Sequence, residues 1–346
     1  MGTFKKIVVT MIVLLVVLAP LTVFAGGRGE AADETERHAF IFKNTGNPYG
    51  EKQMEGFAEG IEAQGHEAIL RAPDQPTAEA QIQIIEQLIA QRVRSISITG
   101  NDFDALQPAL TQARSQGITV LSADSAVNPA SRQVHVNQAD SEMIGRTLIQ
   151  AAYDMAGGSG QIAILSATSQ ASNQNLWIEW MQRELAENAS KYANLELVRI
   201  AYGDDLRDKS VSETEGLLAS FPDLKVIIAP TTVGIAAAGR VITDRGLIGE
   251  VFVTGLGLPS EMAEYIENGA CPYMFLWNPI DVGYLTAYAA TALAEGRITG
   301  AAGDSFTAGR LGNFEVVAAG DGGTEILLGA PFKFEPSNID EWKTVY

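Results

Sequence analysis

From residue 38 onward the chain alternates, twice over, between short apolar runs and amphipathic stretches of helical period. The runs at 39–43, 68–71, 95–99, 119–122 and 134–137 form one series. Those at 161–166, 195–201, 225–229, 250–254 and 271–276 form a second. Most are continuously apolar, the pattern of parallel strands buried on both faces. Between them the spacing is helical: in 77–91, Ile82, Ile85 and Ile89 share one face while Gln81, Gln83 and Gln87 fall elsewhere. Gly65, Gly117, Gly246 and Gly269 each stand between a helical stretch and the next run, where a helix stop belongs. Such strand–helix–strand repeats impose right-handed crossovers and an open, mostly parallel sheet. The expectation is an α/β chain of two doubly wound parallel-sheet lobes, with the helical pattern 141–155 leading from the first to the second. A further helix is expected over 277–296 and two more strands at 314–317 and 325–328. A helix that follows the second series must still find a lobe, so the chain crosses between lobes more than once and forms a multi-crossover hinge.

Ahead of this pattern, Lys5 and Lys6 precede an apolar stretch over 7–24 that runs into Ala25. Val23 and Ala25 stand where a signal peptidase takes small side chains, so residues 1–25 read as a cleaved secretory signal peptide. The alternative is an uncleaved anchor, against which Pro20 and the well-formed cut site argue. No cysteine follows the run, which excludes an N-terminal lipid anchor. Residues 26–37 read as a flexible leader. The single cysteine, Cys271, has no internal disulfide partner, and an exported chain without disulfides suits a bacterial periplasm. The 24 Lys+Arg against 42 Asp+Glu leave a formal charge of -18, which repels phosphate backbones, so no nucleic-acid partner is expected. His38, His66 and His135 are widely spread, and neither a metal nor another cofactor is expected.

In open parallel sheets ligands bind beyond the carboxyl ends of the strands. The residues there are Lys43, Asn44 and Tyr49 after the first run, Asn101 and Asp102 after the third, and Asp124 after the fourth. The second series contributes Asn173, Gln174 and Trp177, then Pro230 and Thr232, then Trp277 and Asn278. Some have plainer readings. Asp102 precedes a helical pattern over 103–115 and would serve as its N-cap, and Ser172 or Asn173 would cap the helix that follows them. Asp124 is followed by no helix, which leaves capping unavailable to it. Lys43 reads equally as an exposed lysine, and Tyr49 and Trp177 as ordinary half-buried aromatics. Amides, carboxylates and flat apolar rings without a nucleophile suit a neutral polyhydroxylated ligand: the polar groups bond hydroxyls in both senses and the rings cover C–H faces. No phosphate-binding glycine loop of the Walker type and no Gly-X-Ser-X-Gly elbow occurs, so no catalytic residues are expected and the chain reads as a binder.

The export signal, the two lobes, residues 43–49 (KNTGNPY) and Asp124 resemble the periplasmic sugar-binding proteins of ABC importers. The stretches 172–177 (SNQNLW), 228–234 (IAPTTVG), 255–260 (GLGLPS), 275–279 (FLWNP) and 336–342 (PSNIDEW) resemble the L-rhamnose-binding proteins in particular. The related autoinducer-2-binding proteins share the residues at 43, 124, 174 and 230 but usually carry an aspartate where this chain has Asn173. The resemblance implies a type I periplasmic binding fold with an N-terminal lobe of 38–137 plus 278–309 and a C-terminal lobe of 138–277 plus 310–346. Crossovers are implied near Asn137, near Trp277 and after Gly309. It implies that Lys43, Asp124, Asn173, Gln174 and Pro230 line the pocket, with a backbone contact at Thr232, and by analogy Asn278 on the hinge side. A monomer is expected that takes up a sugar by hinge closure and hands it to an inner-membrane ABC permease.

Overall fold

The structure, a computed structural model, describes residues 35–346, so the expected signal peptide and nearly all of the leader lie outside the described residues. The first sheet has seven strands in the order β13-β14-β5-β4-β3-β1-β2. They are β1 (Arg37–Ile41), β2 (Glu67–Arg71), β3 (Ser95–Ile98), β4 (Thr119–Ala123), β5 (His135–Asn137), β13 (Val317–Ala318) and β14 (Thr324–Leu327). All neighbours are parallel except β13 and β14. The second sheet is parallel, in the order β7-β6-β8-β9, from β6 (Gly160–Ser166), β7 (Leu195–Tyr202), β8 (Leu224–Ala229) and β9 (Phe252–Gly255). Beyond β9 a parallel bridge from Leu256 to Phe275 joins β10 (Met274–Leu276), which pairs antiparallel with β15 (Phe332–Phe334). A small antiparallel pair, β11 (Ser305–Thr307) and β12 (Asn313–Glu315), lies between.

The central strands of the first sheet, β1, β3 and β4, are buried on both sides, and the alternation of side chains decides which core each residue joins. Ala39 and Ile41 face one core with Ile85 and Leu88 of the helix α2 (Ala78–Ala90), whereas Phe40 and Phe42 face the other with Phe57 and Ile61 of α1 (Pro48–Glu62). The strand β7 departs from the continuous pattern. It is the outer strand of its sheet, and most of its residues are only partly covered, with Glu196 and Arg199 exposed. The four glycines that mark helix stops have φ of +70° to +87°, the left-handed conformation that ends a helix.

The helix expected over 103–115 begins later. Asp102 Oδ1 accepts from the backbone N–H of Asp104 and Ala105 at 2.9 and 2.8 Å and closes a turn, and α3 (Gln107–Ser115) follows. The chain enters the second lobe between β5 and α4 (Ser141–Met155), which packs on α5 (Ser172–Glu187) and on β8 and β9. It returns between β10 and α9 (Pro279–Ala294), which packs along α1 and over β3, β4 and β5. The third crossing corrects the expectation that 310–346 belongs whole to the C-terminal lobe. Residues Glu325 to Leu327 pair in parallel register with His135 to Asn137, and Asn137 Nδ2 donates to Glu325 at 2.8 Å, so β14 extends the open edge of the first sheet. The chain then crosses at 328–331, and β15 and α10 (Ile339–Trp342) finish the second lobe. Among the described residues no helix is long and apolar enough to cross a membrane.

Candidate functional site

The first half of the site is built on the carboxyl ends of β1 and β4. The backbone leaving β1 is held by two buried amides. Gln81 of α2, fully buried, donates to the carbonyls of Phe42 and Thr99 at 3.2 and 2.8 Å and accepts from the N–H of Asn101 at 2.9 Å. Asn101 Nδ2 in turn donates to the Lys43 carbonyl at 2.8 Å. These bonds fix the path of Lys43 and bring its Nζ to 4.0 Å from Asp124 Oδ2. Asp124 directly follows β4 in the left-handed conformation, φ +62°. The Tyr49 hydroxyl, in the first turn of α1, donates to Asp124 Oδ1 at 3.3 Å and accepts from Trp277 Nε1 at 2.7 Å. Asn47 caps α1 by accepting from the N–H of Tyr49 and Gly50.

The second half faces it from β6, α5, β7 and β8. Gln174 Oε1 accepts from Ser166 Oγ and Ala167 N, both at 2.8 Å, which leaves the amide NH2 as the group it turns to the cavity. Asn173 Oδ1 accepts from Gln174 N at 2.8 Å and from Lys43 Nζ at 3.5 Å, and its Nδ2 donates to Asp124 Oδ2 at 3.2 Å. The two lobes therefore meet through side chains. A third crossing bond runs from Ser172 Oγ to the Ala126 carbonyl at 2.8 Å. The Trp177 and Trp277 rings lie 5.9 Å apart at 59°, and Tyr49 stands edge-on to Trp277 at 6.5 Å. After β7, Asp204 and Asp205 both take left-handed φ, and Asp205 accepts a hydrogen bond from Thr231 Oγ1.

These groups border one cavity lined by Lys43, Tyr49, Asp124, Asn173, Gln174, Trp177, Pro230, Thr232 and Trp277, all expected from the sequence. Phe42, Asn47, Asp205, Thr231, Leu256 and Leu276 complete the lining and were not among the expected residues. Asp205 follows a strand end as Asp124 does, so the same strand-end rule pointed to it. The expectations at Asn44, Asn101, Asp102 and Asn278 are corrected. Asn101 is spent on the Lys43 backbone and Asp102 on its own turn. Asn44 Nδ2 bonds the Thr45 carbonyl, and Asn278 caps α9 by accepting from Ile280 N at 3.0 Å. None of the four is among the residues that line the cavity.

Burial pushes the Asp124 carboxyl up to about 6; Lys43 pulls it back, Asp205 raises it further and the Tyr49 bond lowers it. Burial, then the nearby Asp124 charge, pushes the Tyr49 hydroxyl well above its ordinary range. Two carboxylates against one ammonium disfavour an anionic ligand. Amide NH2, carboxylate, hydroxyl and ammonium groups offer hydrogen bonds of both senses, and the tryptophans with Phe42, Leu256 and Leu276 give flat apolar surface. Among the described lining residues there is no histidine, cysteine or serine.

Residues 38–298 match the family model described as a periplasmic binding protein domain. Among solved structures, an ABC transporter solute-binding protein from Clostridium phytofermentas with bound L-rhamnose is 53% identical, with a TM-score of 0.88 over 90% of this chain and 99% of that one. A sugar ABC transporter protein from Actinomyces odontolyticus is 38% identical, with a TM-score of 0.69 over 89% of this chain and 97% of that one. LsrB from Clostridium saccharobutylicum in complex with AI-2 shares the fold at 23% identity, with a TM-score of 0.82 over 88% of this chain and 99% of that one. With the family model spanning most of its length and these two lobes closed over one polar cavity, the chain belongs to the periplasmic binding protein family, solute-binding proteins rather than enzymes.

Proposed function

We propose that this protein captures a neutral monosaccharide, L-rhamnose, by closure of its two lobes and delivers it to an ABC permease after export to the periplasm. The observation that carries the reading is the meeting of Lys43, Tyr49 and Asp124 of one lobe with Asn173 of the other around a single buried carboxylate. A ligand bonded at this point touches both lobes at once, so binding energy is converted into closure, the mode known for hinged binding proteins. The apolar side chains Phe42, Leu256 and Leu276 supply a wall for a deoxy carbon, and the 53% identical relative holds L-rhamnose. A sugar of about eleven heavy atoms with micromolar affinity needs roughly -8 kcal/mol, which lies within the per-atom ceiling for small ligands. A sugar with a misplaced hydroxyl leaves a buried group unpaired, which costs about 1–3 kcal/mol.

Calorimetric titration of the purified protein with L-rhamnose, ribose and autoinducer-2 tests this. Micromolar binding of L-rhamnose, with ribose at least about tenfold weaker, is expected. Tight binding of autoinducer-2 with indifference to rhamnose would instead make the protein a receptor for that signal.

A further inference from the structure

Two of the three histidines, 28 positions apart in sequence, meet at the end of the first sheet opposite the cavity. His38 stands near the start of β1, whereas Lys43 leaves its far end, about 16 Å away along an extended strand. Because β1 and β2 are parallel neighbours, the turn that carries His66 into β2 lies beside the start of β1, and Glu67 N donates to the Glu36 carbonyl at 2.9 Å. Glu36 Oε2 lies 3.7 Å from His38 Nε2, and the two imidazole rings are 5.3 Å apart. One ligand atom from each of Glu36, His38 and His66 falls within 4.8 Å of the others.

The nitrogens at this point are not spent on the fold. His38 is fully buried; Ser95 Oγ holds its Nδ1 at 2.8 Å, while its Nε2 has no hydrogen-bond partner. His66 Nδ1 is likewise buried and unpartnered. A buried nitrogen left unpaired costs free energy, and here each of two neighbouring imidazoles has one. Ser95 supplies the contact on the other ring nitrogen that orients a metal-bound imidazole. Arg94 Nε, 3.0 Å from Glu36 Oε1, occupies one oxygen of that carboxylate and leaves the other turned to His38. Glu295 Oε1 lies 3.9 Å from His66 Nε2.

We propose that Glu36, His38 and His66 form a site for one zinc-like divalent metal ion, far from the ligand cavity. Two imidazoles and a carboxylate are the donors that borderline transition metals take and that calcium and magnesium do not. The ion ties the entry of β1 to the turn ahead of β2, the outermost strand on that side of the sheet, and so stabilises the first lobe without touching the cavity. The inference is independent of which solute is carried.

The test uses the purified, tag-free protein after chelator treatment, titrated with ZnCl2 by calorimetry and melted with ZnCl2 or CaCl2. One zinc per chain with a Kd below about 100 μM is expected, along with a melting temperature raised by zinc and not by calcium. The His66 side chain is only 11% exposed, so His66→Gln, which keeps most of its bulk, is the variant used; it weakens zinc binding at least about tenfold, as does Glu36→Gln. The solute affinity stays the same with and without zinc. Absence of saturable zinc binding, an equal response to calcium, or zinc binding that neither substitution alters would overturn the site; the equal response to calcium would mark diffuse attraction to an acidic protein.

Discussion

Asp124 sits in a backbone conformation and an environment that both work against it. Its left-handed φ costs free energy for any side chain, although aspartate tolerates it better than most, and its carboxyl is pushed up to about 6 by burial. Two such costs at one residue are what a binding site retains for its ligand. The signs can be worked out separately for fold and ligand. A carboxyl raised in the folded state stabilises the fold at pH below its unfolded value near 4, and that contribution is lost as pH rises through about 6. At neutral pH the buried carboxylate therefore costs on the order of 3 kcal/mol. Ligand hydroxyls that donate to Asp124 need the ionised form, so affinity runs the other way. It should be flat above pH 7 and about tenfold weaker at pH 5. Asp124→Asn should remove this pH dependence, weaken binding at neutral pH by about 100-fold or more, and raise the melting temperature of the ligand-free protein at pH 7. Calorimetry at three pH values and a thermal melt check all three outcomes. Lys43 and Asp124 were legible because the strand-end rule finds the neighbourhood of a site. The same rule cannot tell a side chain that faces the cavity from one that turns back to its own backbone, which is why Asn101 and Asp102 were included.

At the scale of elements, the first lobe is held by α9 lying directly along α1. The contact is made by glycines set against backbone. A Cβ on Gly56 would lie 1.9 Å from the Ile280 carbonyl oxygen, and one on Gly283 would lie 1.9 Å from that of Gln53. Both helices also carry small residues at the adjoining turns, Gly60 against Ala287. A side chain at either glycine has only backbone to displace, so the helices must separate. Gly56→Ala should destabilise the protein by about 2–4 kcal/mol, seen as a drop in melting temperature, even though alanine is the better helix former. A neutral or stabilising outcome would show that the helices part easily. The strands of the two series were readable because most are buried parallel strands, each with an apolar run of its own. The tail was not. Val317–Ala318 is a two-residue exposed strand, and β14 takes its place only by pairing with β5 almost two hundred residues earlier, a partnership no local pattern records. Likewise the start of α3 was misjudged, because Asp102 followed by apolar residues looks the same whether it caps a helix or a turn.

For the whole molecule the repeat written twice in the sequence was enough to give two lobes, and a helix without a sheet of its own was enough to give a return crossing. Three strands of chain joining two lobes restrict their motion to bending, and the bonds between the lobes set how far the closed form is favoured. Two of those bonds, from Asn173 and Lys43, meet in the cavity and are shared with whatever occupies it. The third, from Ser172 Oγ to the Ala126 carbonyl, spans the lobes through residues that do not line the cavity. It therefore stabilises closure whatever the ligand. Removing it by Ser172→Ala should cost the closed form about 1 kcal/mol. Since apparent affinity scales with the population of the binding-competent form, every ligand should bind roughly fivefold more weakly, with ratios between sugars unchanged. Asp124→Asn, by contrast, acts on one side of the ligand and should change those ratios. Parallel titrations of both variants with L-rhamnose and one epimer separate the two effects. Small-angle scattering supplies the independent check, because the contraction on ligand binding should persist in Ser172→Ala but require higher sugar concentrations. If Ser172→Ala shifted discrimination as strongly as Asp124→Asn does, closure and recognition could not be divided between different residues in this hinge.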